Sequence, residues 1–322
     1  MKENELAHEL ARRLIDLQNA DGGWGLTEAG VSATEPTSWA LRALDPMSRD
    51  PEAEPGASDA RKRVVDWLVR RQLPSGAWPV SERVPEPGAS TAVATLALAC
   101  CPEPALLDRA VAGGQWLLDH PGKRISWRTR LWLRLNPNRN LPEIDMRLRG
   151  WPWMIGMWGW VEPTAVALLL FRALSGRIES DSLEPAIADG EALLRDRTCP
   201  GGGWNHGLGY SHGEDLWPYP DTTAFALLAL GAGGSEEAVV QGREALARML
   251  DEPVSRLTTA LGILVAEEAG TDPGPLHDRL VAQWSEGFPE PTTRAAAISL
   301  LACSGATLSG PGASVPRVEE TA

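Results

Sequence analysis

Apolar residues recur with a helical period over about 4–18, 58–72, 105–119, 183–197, 235–249 and 275–284, which predicts six amphipathic helices, each with one wet face. Between them, the segments at about 35–44, 89–100, 162–174, 221–231, 254–269 and 291–303 are Ala- and Leu-rich on all sides. These predict six enclosed helices. The two kinds alternate, so the unit is a helical hairpin with one member facing water and the other buried. Six pairs close naturally into a double-layered ring, an all-α (α/α)6 barrel, in which an inner ring buries the apolar helices against one another. The alternative is an open solenoid of the same hairpins, but neither end carries an evident polar capping repeat. The barrel is expected to fill residues 1–304, with an insertion at 120–161 and a flexible Gly-, Ser- and Pro-rich tail at 305–322.

A short phrase joins the members of a pair. Gln18 is followed by Gly22-Gly23-Trp24, Gln72 by Gly76-Ala77-Trp78, and a further copy reads Gly201-Gly202-Gly203-Trp204. In a closed ring, every connection from an outer to an inner helix emerges on one face. Those connections are the long ones, roughly 19–34, 73–88, 120–161 and 198–220. Loops longer than the geometry requires tend to carry function, so the mouth at the inner-helix N-termini is the place to search.

At 322 residues and 43% hydrophobic content the chain can bury a core without staples. The four cysteines include an adjacent pair, Cys100 and Cys101, and form no C-x-x-C spacing. They point to buried thiols in a reducing compartment rather than to disulfides or a sulfur-bound metal. With no apolar leader at its start and no run of about 18 apolar residues, the chain is expected to be soluble and cytoplasmic. A net charge of -13 argues against a nucleic-acid partner.

That charge is uneven. Lys123, Arg124, Arg128, Arg130, Arg134, Arg139, Arg147 and Arg149 face only Glu143 and Asp145 in their segment, which is therefore +6 and leaves the rest at -19. Trp supplies 14 of the 19 aromatic residues, and six of those lie between 127 and 160. The Trp run could be an internal plug that fills the gap made by the insertion. Equally, Trp beside cations offers an aromatic wall next to an anion site, where Arg128, Arg130 and Arg134 suit a diphosphate or carboxylate head. If the basic insertion faces outward instead, docking on a membrane surface better explains its charge.

Aligned on their Thr steps, the inner helices place Glu35, Glu162, Asp221 and Glu290 at equivalent positions around one opening. An acid followed by Pro is a good helix-start signature, and for Glu35 and Glu290 capping is the favoured reading. Asp221 stands apart, because its helix continues without Pro and its approach carries His206, Tyr210, His212, Glu214, Asp215, Trp217 and Tyr219. Glu162 directly follows the Trp-rich run 151–160, which includes Trp153, Trp158 and Trp160.

The Gln18…Gly23-Trp24 and Gln72…Gly76-Ala77-Trp78 phrases resemble the repeats of the terpenoid cyclase and protein prenyltransferase superfamily over about residues 5–303. That resemblance implies the same six-pair barrel, a polyprenyl substrate, and proton transfer from the middle Asp of a D-x-D-D-T-A motif. Tyr219-Pro220-Asp221-Thr222-Thr223-Ala224 keeps the middle Asp and the Thr-Ala, whereas Tyr219 and Thr222 replace the flanking acids. His206 or His212 would then have to partner Asp221. The chain is half as long as two-barrel cyclases, so the resemblance also implies a partner barrel or a homodimer. The prenyltransferase branch holds zinc with an Asp-x-Cys step that is here Asp221-Thr222-Thr223, so no zinc is expected.

Three functions follow as expectations. The first is an acid-initiated cyclase or isomerase of an isoprenoid, with Asp221 as acid, Glu162 as base or second acid, and Trp153, Trp158, Trp160 and Trp217 lining the cavity. It needs no cofactor, apart from Mg if the substrate is a diphosphate. The second is a non-catalytic isoprenoid- or lipid-binding barrel, or a non-catalytic subunit of a larger cyclase. The third is a glycan-active α/α barrel using a Glu and Asp pair with Trp stacking platforms, which fits the residue types but not the family resemblance.

Overall fold

In the computed structural model of the chain, residues 3–49, 54–135, 144–286 and 292–310 are described. The outer helices are α1 (Glu3–Asp16), α3 (Ala57–Arg71), α5 (Pro104–Asp119), α8 (Leu183–Asp196), α10 (Glu237–Leu250) and α12 (Gly274–Ser285). The inner helices are α2 (Thr34–Met47), α4 (Ser90–Ala99), α7 (Val161–Ala173), α9 (Pro220–Leu230), α11 (Arg256–Ala269) and α13 (Thr293–Cys303). One further helix, α6 (Trp127–Leu135), lies in the insertion, and β1 (Tyr210–Ser211) and β2 (Glu214–Asp215) pair as a small antiparallel hairpin. Each inner helix packs on the next, and α13 returns to α2, so the ring is closed. The fold is the all-α (α/α)6 toroid, and the open solenoid is excluded.

The Gly-Trp phrase is the joint between the layers. In each copy a fully buried Trp donates its indole N–H to a carbonyl near the end of an outer helix: Trp24 to Leu14 at 2.9 Å, Trp78 to Leu68 at 2.8 Å, and Trp204 to Leu194 at 2.6 Å. The backbone N–H of the same Trp donates to a Thr hydroxyl on the following inner helix, Thr37, Thr91 and Thr223 respectively. The insertion conceals a fourth joint. Trp151 donates to the Leu117 carbonyl and, through its backbone, to Thr164. The Gln of the phrase ties outer neighbours together: the Gln18 side chain donates to the carbonyls of Gly22 and Ala60, and that of Gln72 to those of Gly76 and Arg109. Glycine is required at Gly22, whose φ is +95° and where a Cβ would lie 2.7 Å from the Arg63 carbonyl oxygen of the next outer helix.

All four cysteines are free and buried; burial pushes the Cys303 thiol up to about 12. The segment expected to be loose from residue 305 is anchored as far as Gly310. Leu308 is buried, and the Arg42 guanidinium, buried inside α2, donates to the carbonyls of Thr307, Leu308 and Gly310. Residues 311–322 lie outside the described part. Among the described residues, no helix is long and apolar enough to cross a membrane.

Candidate active site

Glu35, Glu162 and Asp221 occupy the second residue of α2, α7 and α9. The residues that begin these helices, Ala33, Trp160 and Tyr219, have extended backbones and no side-chain cap. The acids are therefore first-turn residues rather than N-caps, and at Glu35 it is the first-turn part of the helix-start reading, an acid complementing the helix dipole, that the structure shows. Glu290 lies outside the described residues.

A cation unnoticed in the sequence gathers them. Arg294, in the first turn of α13, donates to Glu162 Oε1 at 2.6 Å and to Glu35 Oε1 at 3.2 Å. Its guanidinium also sits 4.9 Å from the Phe225 ring centroid and 5.9 Å from that of Trp39. Burial works against its charge, but Glu162, Glu35 and Asp221 outweigh that and hold it above the usual Arg value. Asp221 behaves in the opposite way. Burial raises its carboxyl above the usual 3.8, and the hydroxyl of Thr258, which donates to Oδ1, and the charge of Arg294 only partly oppose this, while Glu162 adds to it. The mouth thus holds one carboxyl biased towards its protonated form beside another fixed in an ion pair.

A cavity of about 270 Å³ opens beside Glu35 and Glu162, lined also by Trp39, Val93, Trp153 and Met154. Two buried donors at this end, Trp39 Nε1 and Arg294 Nε, have no hydrogen-bond partner in the protein. Unpaired buried donors are costly, and an oxygen-rich ligand would satisfy them.

The other expected site residues divide. Trp153 lines the cavity. Trp160, His206 and Tyr219 form a short aromatic ladder, with centroids 6.4 Å apart from Trp160 to His206 and 5.1 Å from His206 to Tyr219. Trp217 is 83% exposed and lines no part of the cavity. Trp158 is half-exposed, and its backbone bridges to Lys123. His212 lies in the β1–β2 hairpin, where it bonds Ser211. The partner of Asp221 is Thr258, and neither His206 nor His212 takes that place, which corrects the earlier assignment. The plug reading holds for Trp151, which is buried, and fails for Trp153, Trp158 and Trp160. Arg128 is exposed and stacks on Trp127 at 5.5 Å. The side chains of Arg130 and Arg134 lie outside the described residues. Among the described residues, no group of three or more His, Cys, Asp or Glu is placed to hold a metal ion.

No protein-family model matches the sequence, and no curated protein matches it. Solved structures do match over nearly the whole length. An α-1,6-mannanase from Salegentibacter, a variant inactivated by replacing two consecutive Asp with Asn and bound to α-1,6-mannotriose, aligns over 94% of this chain and 98% of its own at 11% identity and a TM-score of 0.60. Cellobiose 2-epimerase from Spirochaeta thermophila aligns over 94% and 95% at 14% identity and a TM-score of 0.57. A protein from Actinoplanes aligns over 94% and 98% at 20% identity and a TM-score of 0.53. At these identities the likeness establishes the fold.

It also corrects the terpenoid cyclase reading. Two of these fold neighbours, the mannanase and the epimerase, are saccharide enzymes, and the mannanase is bound to an oligosaccharide rather than to an isoprenoid. The Gly-Trp phrase behind that resemblance is accounted for as a packing joint, so it carries no information about a prenyl chain. The isoprenoid substrate, the isoprenoid-pathway role and the diphosphate head group expected at Arg128, Arg130 and Arg134 are withdrawn with it.

Proposed function

We propose that the chain is a glycan-active enzyme whose mouth binds a saccharide and transfers a proton through Asp221, with Glu162 as the opposing carboxylate. The observation that carries this reading is the pair of mouth carboxyls in contrasting surroundings, Asp221 raised by burial and Glu162 paired with Arg294. Two carboxyls whose environments differ in this way divide acid and base work. A protonated Asp221 would donate to a departing glycosidic or ring oxygen. Glu162, held in place by Arg294, would take the proton of a water that attacks the anomeric carbon as the C–O bond to that oxygen breaks. Trp39 Nε1 and Arg294 Nε would bind sugar hydroxyls, and the ladder Trp160–His206–Tyr219 would offer a stacking face. The fold relatives support a saccharide over other oxygen-rich ligands, since they act on α-1,6-mannan and cellobiose. The mechanism need not copy the mannanase, because the sequence contains no two consecutive Asp.

The test is incubation with α-1,6-mannotriose and with cellobiose, followed by chromatography that separates shorter sugars from epimers. New product is expected, with Asp221→Asn reducing its rate by about 10²-fold or more. A fully active Asp221→Asn would remove Asp221 as the acid. Binding of either sugar without product, unchanged in that variant, would favour a saccharide-binding barrel. Activity should fall as pH rises through the raised value of Asp221, because the donor form is lost.

The same residue makes a stability prediction. A carboxyl whose folded value is raised binds more protons folded than unfolded, so its contribution to stability declines as pH rises above about 3.8. Asp221→Asn is expected to melt higher than the parent at neutral pH, with the gap closing towards acid. A lower melting point at neutral pH would show that the charged form is the one the fold favours.

A further inference from the structure

The exposed large apolar residues among those described have a one-sided distribution. Leu26 and Val31, Val84, the residues of α6, those of the loop 153–160, and Trp217 with Tyr219 all fall in connections that run from an outer to an inner helix. The mouth face therefore carries the greasy groups. Within it, α6 presents Trp127, Leu131, Trp132 and Leu135 to the surface and is packed into neither helical ring. It is also the most basic stretch of the chain: from Lys123 to Arg134 there are five cationic residues and no acid, in a protein of net charge -13. Its base is pinned to the apolar loop, since the Lys123 N–H donates to the Met157 carbonyl and the Ile125 N–H to the Met146 carbonyl. Beside it, Met154, Ile155, Met157 and Trp158 are exposed.

We propose that this face docks on an anionic lipid surface, with α6 and the 153–158 loop as the contacting elements. The composition selects this occupant. The core of a protein interface is depleted in charge, whereas here cations alternate with Trp and Leu along about two and a half turns of helix. Indole rings settle at the boundary between headgroups and acyl chains, and arginines bind lipid phosphates through two N–H groups at once. A short segment with both features lies in the interface plane without crossing it. The acidic remainder of the chain is repelled by the same surface, so the contact fixes the orientation and leaves the mouth facing the lipid.

Binding is read without any sugar, so the result stands apart from the saccharide reading. The purified full chain is sedimented with vesicles of phosphatidylcholine alone and with vesicles containing about one-third phosphatidylglycerol, at low and high salt. Co-sedimentation with the anionic vesicles is expected, falling at least tenfold with neutral vesicles or high salt. It should fall similarly in Trp127→Ser/Trp132→Ser and in Arg128→Gln/Arg130→Gln/Arg134→Gln. Both variants should melt within about 2 °C of the parent, because α6 is not part of the packed rings. Equal binding to neutral and anionic vesicles, or no binding to either, overturns the proposal. So does a concentration-dependent dimer that disappears in these variants while vesicles remain unbound, since the face would then be covered by a second copy of the chain.

Discussion

Trp204→Ala is expected to destabilise the protein by about 3–5 kcal/mol, the range for emptying a buried aromatic site. The indole is fully buried and closely invested: the Gly242 Cα faces it so tightly that a Cβ there would stand 2.5 Å from Cζ3. Collapse around the space is hindered, because the walls are two helices of different layers, α9 and α10, held apart by the rest of the ring. The variant also loses the indole hydrogen bond to Leu194, whose carbonyl keeps only the Arg197 N–H at 3.2 Å. Trp204→Phe separates these contributions. It keeps most of the ring volume and loses the N–H, so about 1–2 kcal/mol is expected. Urea unfolding with an unchanged slope measures both. If the Ala variant loses less than about 1 kcal/mol, the joint does not hold the layers together. A domain of this kind has only about 5–15 kcal/mol in reserve, so a single joint represents a substantial share of it.

Arg294→Met should cost nearly as much for a different reason. The side chain is largely enclosed, and its removal leaves Glu162 and Glu35, 13% and 29% exposed, facing each other across the mouth without a cation. Breaking a buried pair from one side costs about 3–5 kcal/mol, and the residual solvent contact of both acids lowers the expectation to about 2–4 kcal/mol. The contacts with Phe225 and Trp39 are lost as well. Adding Glu162→Gln to the Met variant should restore part of the loss, because one uncompensated charge goes; such recovery is the signature of direct coupling. Arg294→Lys should fall between, since an ammonium cannot reach two carboxylates with the same planar fork. An Arg294→Met protein as stable as the parent would show that the carboxylates do not depend on this cation.

The helical hairpins were legible because periodicity reports burial directly: a wet helix alternates and an enclosed one does not. Each of the twelve barrel helices falls within a few residues of its expected span. The helix α6 was not legible, since Trp-Arg-Thr-Arg-Leu-Trp-Leu-Arg-Leu mixes cations and apolar groups on every side and follows neither pattern. The joint inside the insertion was hidden for a geometric reason. Trp151 is 34 residues beyond its Leu117 partner, while the other three copies close over ten. Of the site, the carboxylates were visible through their shared Thr steps. Arg294 had a readable signal that went unused, a lone cation in the first turn of an otherwise apolar inner helix. Thr258 had none, because a Thr there looks like every other Thr at an inner-helix start. The function was misread because a recurring phrase was credited with chemistry when it does a mechanical task.

The Trp joints also divide the ring unequally. They secure the passages into α2, α4, α7 and α9. The passage into α11 is the short stretch 251–255, which carries no Trp: Ser255 caps its own helix, Gln283 of α12 donates to the Val254 carbonyl, Arg256 donates to the Gln283 carbonyl and stacks on Trp284 at 4.4 Å, and Trp284 donates to the Ser299 hydroxyl at 3.3 Å. A closed ring with four passages riveted by a buried indole and one sector held by arginine and glutamine side chains instead has a seam. Local opening follows the least protected path, so amide hydrogens of α11 and α12 would exchange with solvent ahead of those in α2 and α4, and a protease would nick this sector first. Since Thr258 stands on α11 and Arg294 on α13, the inner helices on either side of α12, while the acids they hold stand on the riveted side, each opening of the seam would part the mouth between its cation and its carboxylates. The gate and the site would then be one motion.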